Sequence, residues 1–186
     1  MAKFETYRCS YSSTAKEGNA ALYSYGLKGH VGYFKLVDPL LSVAKLVFWG
    51  NVKTSESGAY YRLPGYLQVS HPSYGTLTVK SSASSKWGSW ELFEVYFIYD
   101  PDTDTRVGVA YVVDPNTGKK TLRASTGVLS GAPSPGEVSI IASAKTGDYY
   151  GYILVDSLKI YGVAGEVVSE RSLPQIVSSV YETLLE

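Results

Sequence analysis

The chain has 186 residues, 45% of them hydrophobic, which is enough to form one globular domain and excludes a disordered segment. Seventeen basic and seventeen acidic residues give zero net charge, and without a basic run the chain lacks the electrostatic signature of a nucleic-acid-binding protein. Charged residues make up only 18%, whereas Tyr and Gly number 17 and 18, so the surface is expected to be uncharged but hydrogen-bonding, as in coats, adhesins and sugar-binding proteins.

The sequence shows neither a membrane span nor an export signal. No apolar run approaches the length of a transmembrane helix. The first eight residues contain no hydrophobic signal region. Cys9 is the single cysteine, so no disulfide can form within the chain. We therefore expect a virion protein, made in the cytoplasm and acting outside it, or a secreted protein whose signal was removed.

The first half of the chain predicts short strands separated by turns. Residues 1–19 predict an edge strand and a loop, and residues 20–37 predict two strands broken near Gly29. Residues 45–53 alternate, with Leu46, Phe48 and Val52 on one side of the predicted strand. Three further strands are predicted at 59–63, 66–70 and 75–80, followed by a Ser-rich loop at 81–89.

The region from Trp90 to Tyr161 predicts an antiparallel meander. Two Asp-Pro-x-Thr turns start at Asp100 and Asp114, and each follows a run of β-branched and aromatic residues. After a loop at 131–136, residues 137–144 and 149–161 predict the closing strands. The predicted fold is therefore an all-β, antiparallel, jelly-roll-like sandwich of two sheets, formed by a single domain at 1–171.

Residues 172–186 predict a different element, a short amphipathic helix. Ser172 can cap it, and Pro174 suits its first turn. Apolar side chains then recur at helical spacing, including Ile176, Val180, Tyr181 and Leu184. These four residues are interpreted either as a cover over one end of the sandwich or as an interface with a neighbouring subunit.

Two segments resemble concanavalin-like lectins and carbohydrate-binding modules. The run from Trp90 to Thr105 is similar to the strand and turn before the back sheet of those jelly rolls. The runs 137–144 and 149–162 resemble their closing strands, where an Asp precedes an apolar-x-apolar ending. The resemblance implies the fold, and it implies glycan binding as one function. It also implies that Asp156 can help hold a structural calcium, with Glu5 as the matching acid from the first strand.

Asp156 also stands out on its strand pattern alone. Regular alternation places it with Tyr152, Leu154, Leu158 and Ile160, on an apolar face where a carboxylate needs a cation or several donors. A bulge that turns Asp156 outward, or a carboxylate bound by backbone groups, explains the pattern equally well.

Aromatic residues supply the candidate ligand site. Sugar rings stack on flat aromatic surfaces, and Tyr hydroxyls add hydrogen bonds. The candidates for such a platform are Trp87, Trp90, Tyr60, Tyr61, Tyr66 and Tyr74. Residues 149, 150 and 152 are tyrosines that raise the same question elsewhere in the chain. Aromatic side chains of this kind also fill cores and subunit interfaces, and the sequence leaves both interpretations open.

The sequence contains no recognisable catalytic motif. Glu91 and Glu94 are three residues apart, so a regular strand directs them to opposite faces and they cannot form a glycosidase pair. His30 and His71 lack ligand-like neighbours, and no nucleophile elbow is present. The first expectation is a non-catalytic structural or recognition protein of a virion or other exterior surface, which associates with itself or with coat proteins. The alternative is a lectin-like module that binds glycans. Neither requires a cofactor, although structural calcium is allowed.

Overall fold

The computed structural model describes residues 4–27, 32–36, 43–54, 65–82, 87–134, 136–144 and 150–162. Within these ranges the chain forms β-strands connected by turns and loops. In chain order the strands are β1 (Phe4–Tyr7), β2 (Cys9–Ser12), β3 (Ala21–Leu27), β4 (Gly32–Leu36), β5 (Val43–Thr54), β6 (Gly65–His71), β7 (Gly75–Ser82), β8 (Glu91–Asp100), β9 (Thr105–Val113), β10 (Lys120–Ser125), β11 (Leu129–Ser130), β12 (Ser139–Ala144) and β13 (Tyr150–Gly162).

The strands form two antiparallel sheets. One has five strands in the order β1-β4-β12-β6-β7. The other has eight, in the order β10-β9-β8-β5-β13-β3-β2, with the short β11 paired to β9. The two sheets pack face to face, so the predicted all-β, jelly-roll-like sandwich is confirmed.

The core lies between the sheets and follows the strand alternation. On β5, Leu46, Phe48 and Val52 are at most 2% exposed, so the predicted inward side of this strand is confirmed. Phe48 meets Phe93 of β8 at 5.6 Å between ring centroids, and Leu67 and Val69 of the five-stranded sheet belong to the same buried cluster. Burying large apolar side chains from both sheets is the main stabilising term of such a sandwich.

The predicted meander is confirmed, because β8 pairs with β9 and β9 pairs with β10. At the first turn, Asp100 accepts hydrogen bonds from the Asp102 N–H at 3.0 Å and from the Thr103 hydroxyl at 2.8 Å. Asp114 accepts one from the Asn116 N–H at 2.9 Å in the second turn. Both aspartates therefore act as turn residues.

The N-terminal segment contributes one strand to each sheet, where the sequence predicted a single edge strand. β1 is the outermost strand of the five-stranded sheet and β2 is outermost in the eight-stranded sheet. Arg8, with φ of 55°, connects them in the left-handed conformation. This sharp change of direction lets two consecutive strands join different sheets.

The two sheets approach closely where β13 begins. A Cβ atom at Gly151 would lie 1.9 Å from the Ser143 carbonyl oxygen of β12, so only glycine fits there. This contact fixes the first residues of β13, including Tyr152, against the rest of the sandwich.

Several predictions fall outside the described residues. These are the strand at 59–63 and the helix at 172–186, with its Ile176, Val180, Tyr181 and Leu184 interface. Among the described residues, no helix has the length and hydrophobicity needed to cross a membrane.

Candidate functional site

An aromatic surface occupies the outward face of the eight-stranded sheet at the N-terminal end of β13. Strand alternation places Leu22 and Ser24 of β3 inward and Tyr23 and Tyr25 outward, and it places Tyr152 of β13 outward as well. Tyr25 lies directly opposite Tyr152 in the antiparallel register, and Tyr23 lies opposite Leu154, the next outward position of β13.

The three tyrosine rings are in mutual contact. Tyr23 and Tyr152 stack with 5.7 Å between ring centroids and an interplanar angle of 25°. Tyr25 lies 6.2 Å from Tyr152 and 6.4 Å from Tyr23, with tilted rings. Leu154, the next outward residue of β13, is fully buried beside them, and the three contacting rings form a continuous aromatic surface.

Trp87 forms one wall beside this surface. It begins the irregular segment 87–90, which is fixed to β5 by a 3.0 Å hydrogen bond from the Gly88 N–H to the Val52 carbonyl. The indole meets the Tyr23 ring edge-on at 6.4 Å and 73°. The Lys53 ammonium lies 5.4 Å from the centroid of the Trp87 ring, within the range of a cation–π interaction.

Tyr23, Lys53, Trp87 and Tyr152 together line a cleft of about 190 Å³. Drug-sized ligands occupy pockets of about 300 Å³ or more, so this cleft suits a smaller unit or part of a longer chain. Its walls are three aromatic rings and one cation. The arrangement can stack against the flat face of a ring and can donate hydrogen bonds from the ammonium group.

Asp156 lies further along the same outward face, and its environment differs from the regular alternation predicted from sequence. Asp156 pairs with Trp49, but Lys159 pairs with Val47, so β13 contains a bulge with one extra residue. Ser157, with φ of 52°, forms this bulge. The residues after it change faces, so Leu158 and Ile160 pack against the core and do not share a face with Asp156.

Backbone N–H groups surround the Asp156 carboxylate. One oxygen accepts hydrogen bonds from the Lys16 and Glu17 N–H groups, both at 2.8 Å, and the other accepts from the Ser157 N–H at 2.7 Å. The side chain is only 9% exposed. Asp156 therefore holds the loop between β2 and β3 against the eight-stranded sheet. This arrangement matches the alternative from sequence in which backbone groups bind the carboxylate.

The loop that Asp156 holds lies against Trp49. Glu17 accepts a 3.0 Å hydrogen bond from the Trp49 indole and another from the Ser157 hydroxyl, and these two bonds lower the pKa of Glu17. The Lys16 ammonium lies 4.7 Å from the centroid of a Trp49 ring. The loop thus lies between the tyrosine cleft and the end of the eight-stranded sheet's outward face that carries Glu94.

Glu5 does not share a site with Asp156. It lies on β1 in the five-stranded sheet and pairs with Lys35 at 3.8 Å, whereas Asp156 belongs to the eight-stranded sheet. No cluster of three or more His, Cys, Asp or Glu side chains suited to a metal ion occurs within the described parts of the chain.

A second polar cluster lies at the other end of the outward face. Lys120 and Lys45 pair with Glu94 at 2.6 and 3.7 Å, and the Tyr96 hydroxyl also donates to this carboxylate. Burial raises the pKa of Glu94, but the bonds from Lys120 and Tyr96 outweigh it, and the net pKa is lowered. Glu91 pairs with Gly50, an inward position of β5, so the two glutamates lie on opposite faces.

The structure separates the aromatic residues that the sequence proposed as one platform. Trp87 lines the cleft, but Trp90 is a half-buried residue outside its lining. Tyr66 lies on the five-stranded sheet, facing away from the core. Tyr74 is a core residue, packed 5.2 Å from Phe97, and burial raises its pKa to about 12. Tyr60 and Tyr61 lie outside the described residues.

Sequence reasoning missed two members of the aromatic surface, Tyr23 and Tyr25. The signal was their spacing: two tyrosines that alternate with a serine on a predicted strand must share a face. Tyr152 is among the tyrosines that the sequence indicates as candidates, but nothing in the sequence joins it to Trp87. The strand order brings them together, because β13 lies between β3 and β5.

No family model and no curated protein matches the chain. Among solved structures, similarity extends to arcelin-5, a lectin-like defense protein from Phaseolus vulgaris, with 10% identity over 87% of this chain and 92% of that one, at a TM-score of 0.39. Lectin I-B4 from Griffonia simplicifolia, in its metal-free form, is 13% identical over 86% of this chain and 93% of its own, with a TM-score of 0.38. A family 16 carbohydrate-binding module is 11% identical over 83% of this chain and 86% of its own, with a TM-score of 0.32. The likeness to these structures is one of fold alone.

Proposed function

We propose that this chain is a non-catalytic carbohydrate-binding protein that acts on an extracellular surface, and that its ligand lies in the cleft between Trp87 and the tyrosine surface. The observation that carries the proposal is the contiguous packing of Tyr23, Tyr25 and Tyr152 on the outward face of the eight-stranded sheet, with Trp87 as a wall. Sugar rings present flat C–H faces, for which such rings are the complementary surface.

Rigidity favours the cleft as a recognition site. The tyrosines stand on β3 and β13, each of which is paired on both sides within the eight-stranded sheet, and segment 87–90 is held by the Gly88–Val52 hydrogen bond. Side chains fixed in this way lose little conformational entropy when a ligand binds, which benefits weak individual contacts such as sugar stacking.

A broad glycan array followed by calorimetry tests this proposal. Trp87→Ala and Tyr152→Ala should each weaken binding roughly two- to tenfold, the effect of losing one aromatic contact. Trp90→Ala is the matched control, because it removes a half-buried Trp outside the cleft and should leave affinity unchanged. Melting temperatures show whether each variant is folded. The proposal fails if no glycan binds, or if binding survives both cleft substitutions.

An assembling coat or virion component is the second candidate. The observation that favours it is Tyr11, which is 80% exposed on β2, the outermost strand of the described eight-stranded sheet. An exposed aromatic on an edge strand is suited to pairing with another chain. Light scattering after size exclusion should then show oligomers, which Tyr11→Lys dissociates. A monomer at all concentrations would remove this candidate.

A further inference from the structure

One row of outward-facing residues, taken across neighbouring strands of the eight-stranded sheet, has a cationic residue at each end. Tyr25 is paired with Tyr152, and Tyr152 is paired with Lys53 on the far side. At the opposite edge, the Tyr25 N–H donates to the Arg8 carbonyl at 3.3 Å, so Arg8 continues the row. The order across the face is thus Arg8, Tyr25, Tyr152, Lys53. Three strand spacings separate the two cationic residues, or about 14 Å between their backbones.

Both cations lie against the rings of the site. The Lys53 ammonium is 5.4 Å from the Trp87 ring centroid, and Lys53 itself lines the cleft. The Arg8 guanidinium is 5.7 Å from the Tyr25 ring centroid. Both residues also interact with other groups of the chain, so a ligand would add to existing contacts. Cation–π contacts of this kind hold the charges at the edges of the stacking surface.

Among the described residues near the cleft, the carboxylates of this face are already bonded to other groups of the chain. The neighbouring row of outward-facing residues comprises Ser10, Tyr23, Leu154 and Asn51, none of which is charged. The row after it contains Asp156, whose oxygens accept three backbone N–H groups, and beside it Glu17, which is bonded to Trp49 and Ser157. Among the described residues of the two rows at the cleft, the side-chain charge is therefore purely positive.

Resting on the carbohydrate-binding function proposed above, we propose that the ligand is an acidic oligosaccharide. Its sugar rings lie on Tyr25 and Tyr152, and its anionic groups lie against Lys53 at one end and Arg8 at the other. Carboxylate and sulfate groups share the required chemistry, since both accept hydrogen bonds from ammonium and guanidinium groups. Because Arg8 and Lys53 stand on opposite sides of the Tyr25–Tyr152 pair, a ligand that contacts both is expected to carry anionic groups on more than one sugar residue.

The test compares three oligosaccharides of equal length by calorimetry with the intact chain: a polyuronate fragment, a sulfated glycan fragment and a neutral glucan fragment. We expect an acidic fragment to bind most tightly, with an affinity that falls as salt rises. Lys53→Gln and Arg8→Gln should each weaken that binding about two- to fivefold, a larger loss than either causes in any binding of the neutral fragment. The tighter of the two acidic fragments identifies carboxylate or sulfate as the preferred group.

Lys119→Gln is the matched control, because it removes the same charge from an exposed loop position between β9 and β10. If Lys119→Gln weakens binding as much as Lys53→Gln, the effect reflects net charge and the inference is wrong. The inference is also wrong if the neutral fragment binds as tightly as the acidic ones, although loss of that binding in Trp87→Ala would still support the carbohydrate site. If no fragment binds, the inference of an acidic ligand is wrong, and the broad glycan array decides the carbohydrate-binding proposal separately.

Discussion

The buried ammonium of Lys80 donates a 2.8 Å hydrogen bond to the Ser89 carbonyl and so joins the edge of the five-stranded sheet to the segment that carries Trp87. The same ammonium pairs with Glu91 at 2.5 Å, and Lys80 is only 8% exposed. Lys80→Met keeps most of the side-chain volume but leaves the carbonyl and the carboxylate without this donor. We expect the free energy of unfolding to fall by roughly 1–3 kcal/mol, measured by urea unfolding.

Arg123→Met is the control for the Lys80 substitution. Arg123 donates to the other oxygen of Glu91 at 2.9 Å, but its side chain is 39% exposed. Its loss should cost less than about 1 kcal/mol, because solvent screens an exposed ion pair. Lys80→Met should also increase quenching of tryptophan fluorescence by acrylamide, since segment 87–90 loses an anchor. Equal destabilisation by the two variants would contradict the assigned role.

Asp156 is expected to stabilise the fold without a metal ion. Because its carboxylate accepts three backbone N–H groups, Asp156→Ala should lower the free energy of unfolding by roughly 2–3 kcal/mol. EDTA should leave the melting temperature of the native chain unchanged. The calcium hypothesis predicts the opposite result: EDTA lowers the melting temperature of the native chain and has no effect on Asp156→Ala.

The strands of this fold could be predicted from sequence because their signals are local. Alternation over 45–53 identified the inward side of β5, and the turns at Asp100 and Asp114 identified the meander. Alternation failed at Asp156 because a bulge adds one residue and reverses every face after it. The bulge residue is Ser157, and a positive φ at a serine leaves no sequence signal comparable to a glycine.

The candidate site was predicted only in part because it depends on strand order. The Ser-rich loop around Trp87 marks this residue as a candidate, but its partners Tyr23 and Tyr152 lie more than sixty residues away on either side. Their contact follows from β13 pairing with both β3 and β5, a long-range choice that turn and strand signals do not encode. Tyr74 illustrates the converse, because a tyrosine in a turn is buried here against Phe97.

Gly151 is expected to tolerate no side chain. A Cβ atom there would lie 1.9 Å from the Ser143 carbonyl oxygen, and backbone atoms cannot move aside cheaply. Gly151→Ala should therefore destabilise the chain by more than about 2 kcal/mol and weaken ligand binding, since Tyr152 is the next residue. Gly88→Ala is the control, because its nearest contact would be 3.4 Å. The close packing of the sheets is disproved if both variants melt at the same temperature.

His71 should make stability depend on pH. The side chain is 4% exposed, it packs 4.8 Å from Tyr74, and its Nδ1 accepts a 3.0 Å hydrogen bond from the Ser73 N–H. Burial lowers its pKa from the ordinary value of 6.5. At pH values between this lowered pKa and 6.5, His71 binds a proton in the unfolded chain but not in the folded chain. The contribution to stability is therefore complete above pH 6.5 and is lost as the pH falls toward the lowered pKa.

Urea unfolding at several values between about pH 5 and pH 8 tests this expectation for His71. The native chain should lose stability progressively below pH 6.5, the ordinary pKa of histidine. His71→Asn retains an acceptor for the Ser73 N–H and cannot titrate in this range, so it should be less stable overall but show a flatter pH profile. His30→Asn is the control for the other histidine. If the profile flattens in His30→Asn and not in His71→Asn, the assignment to His71 is wrong.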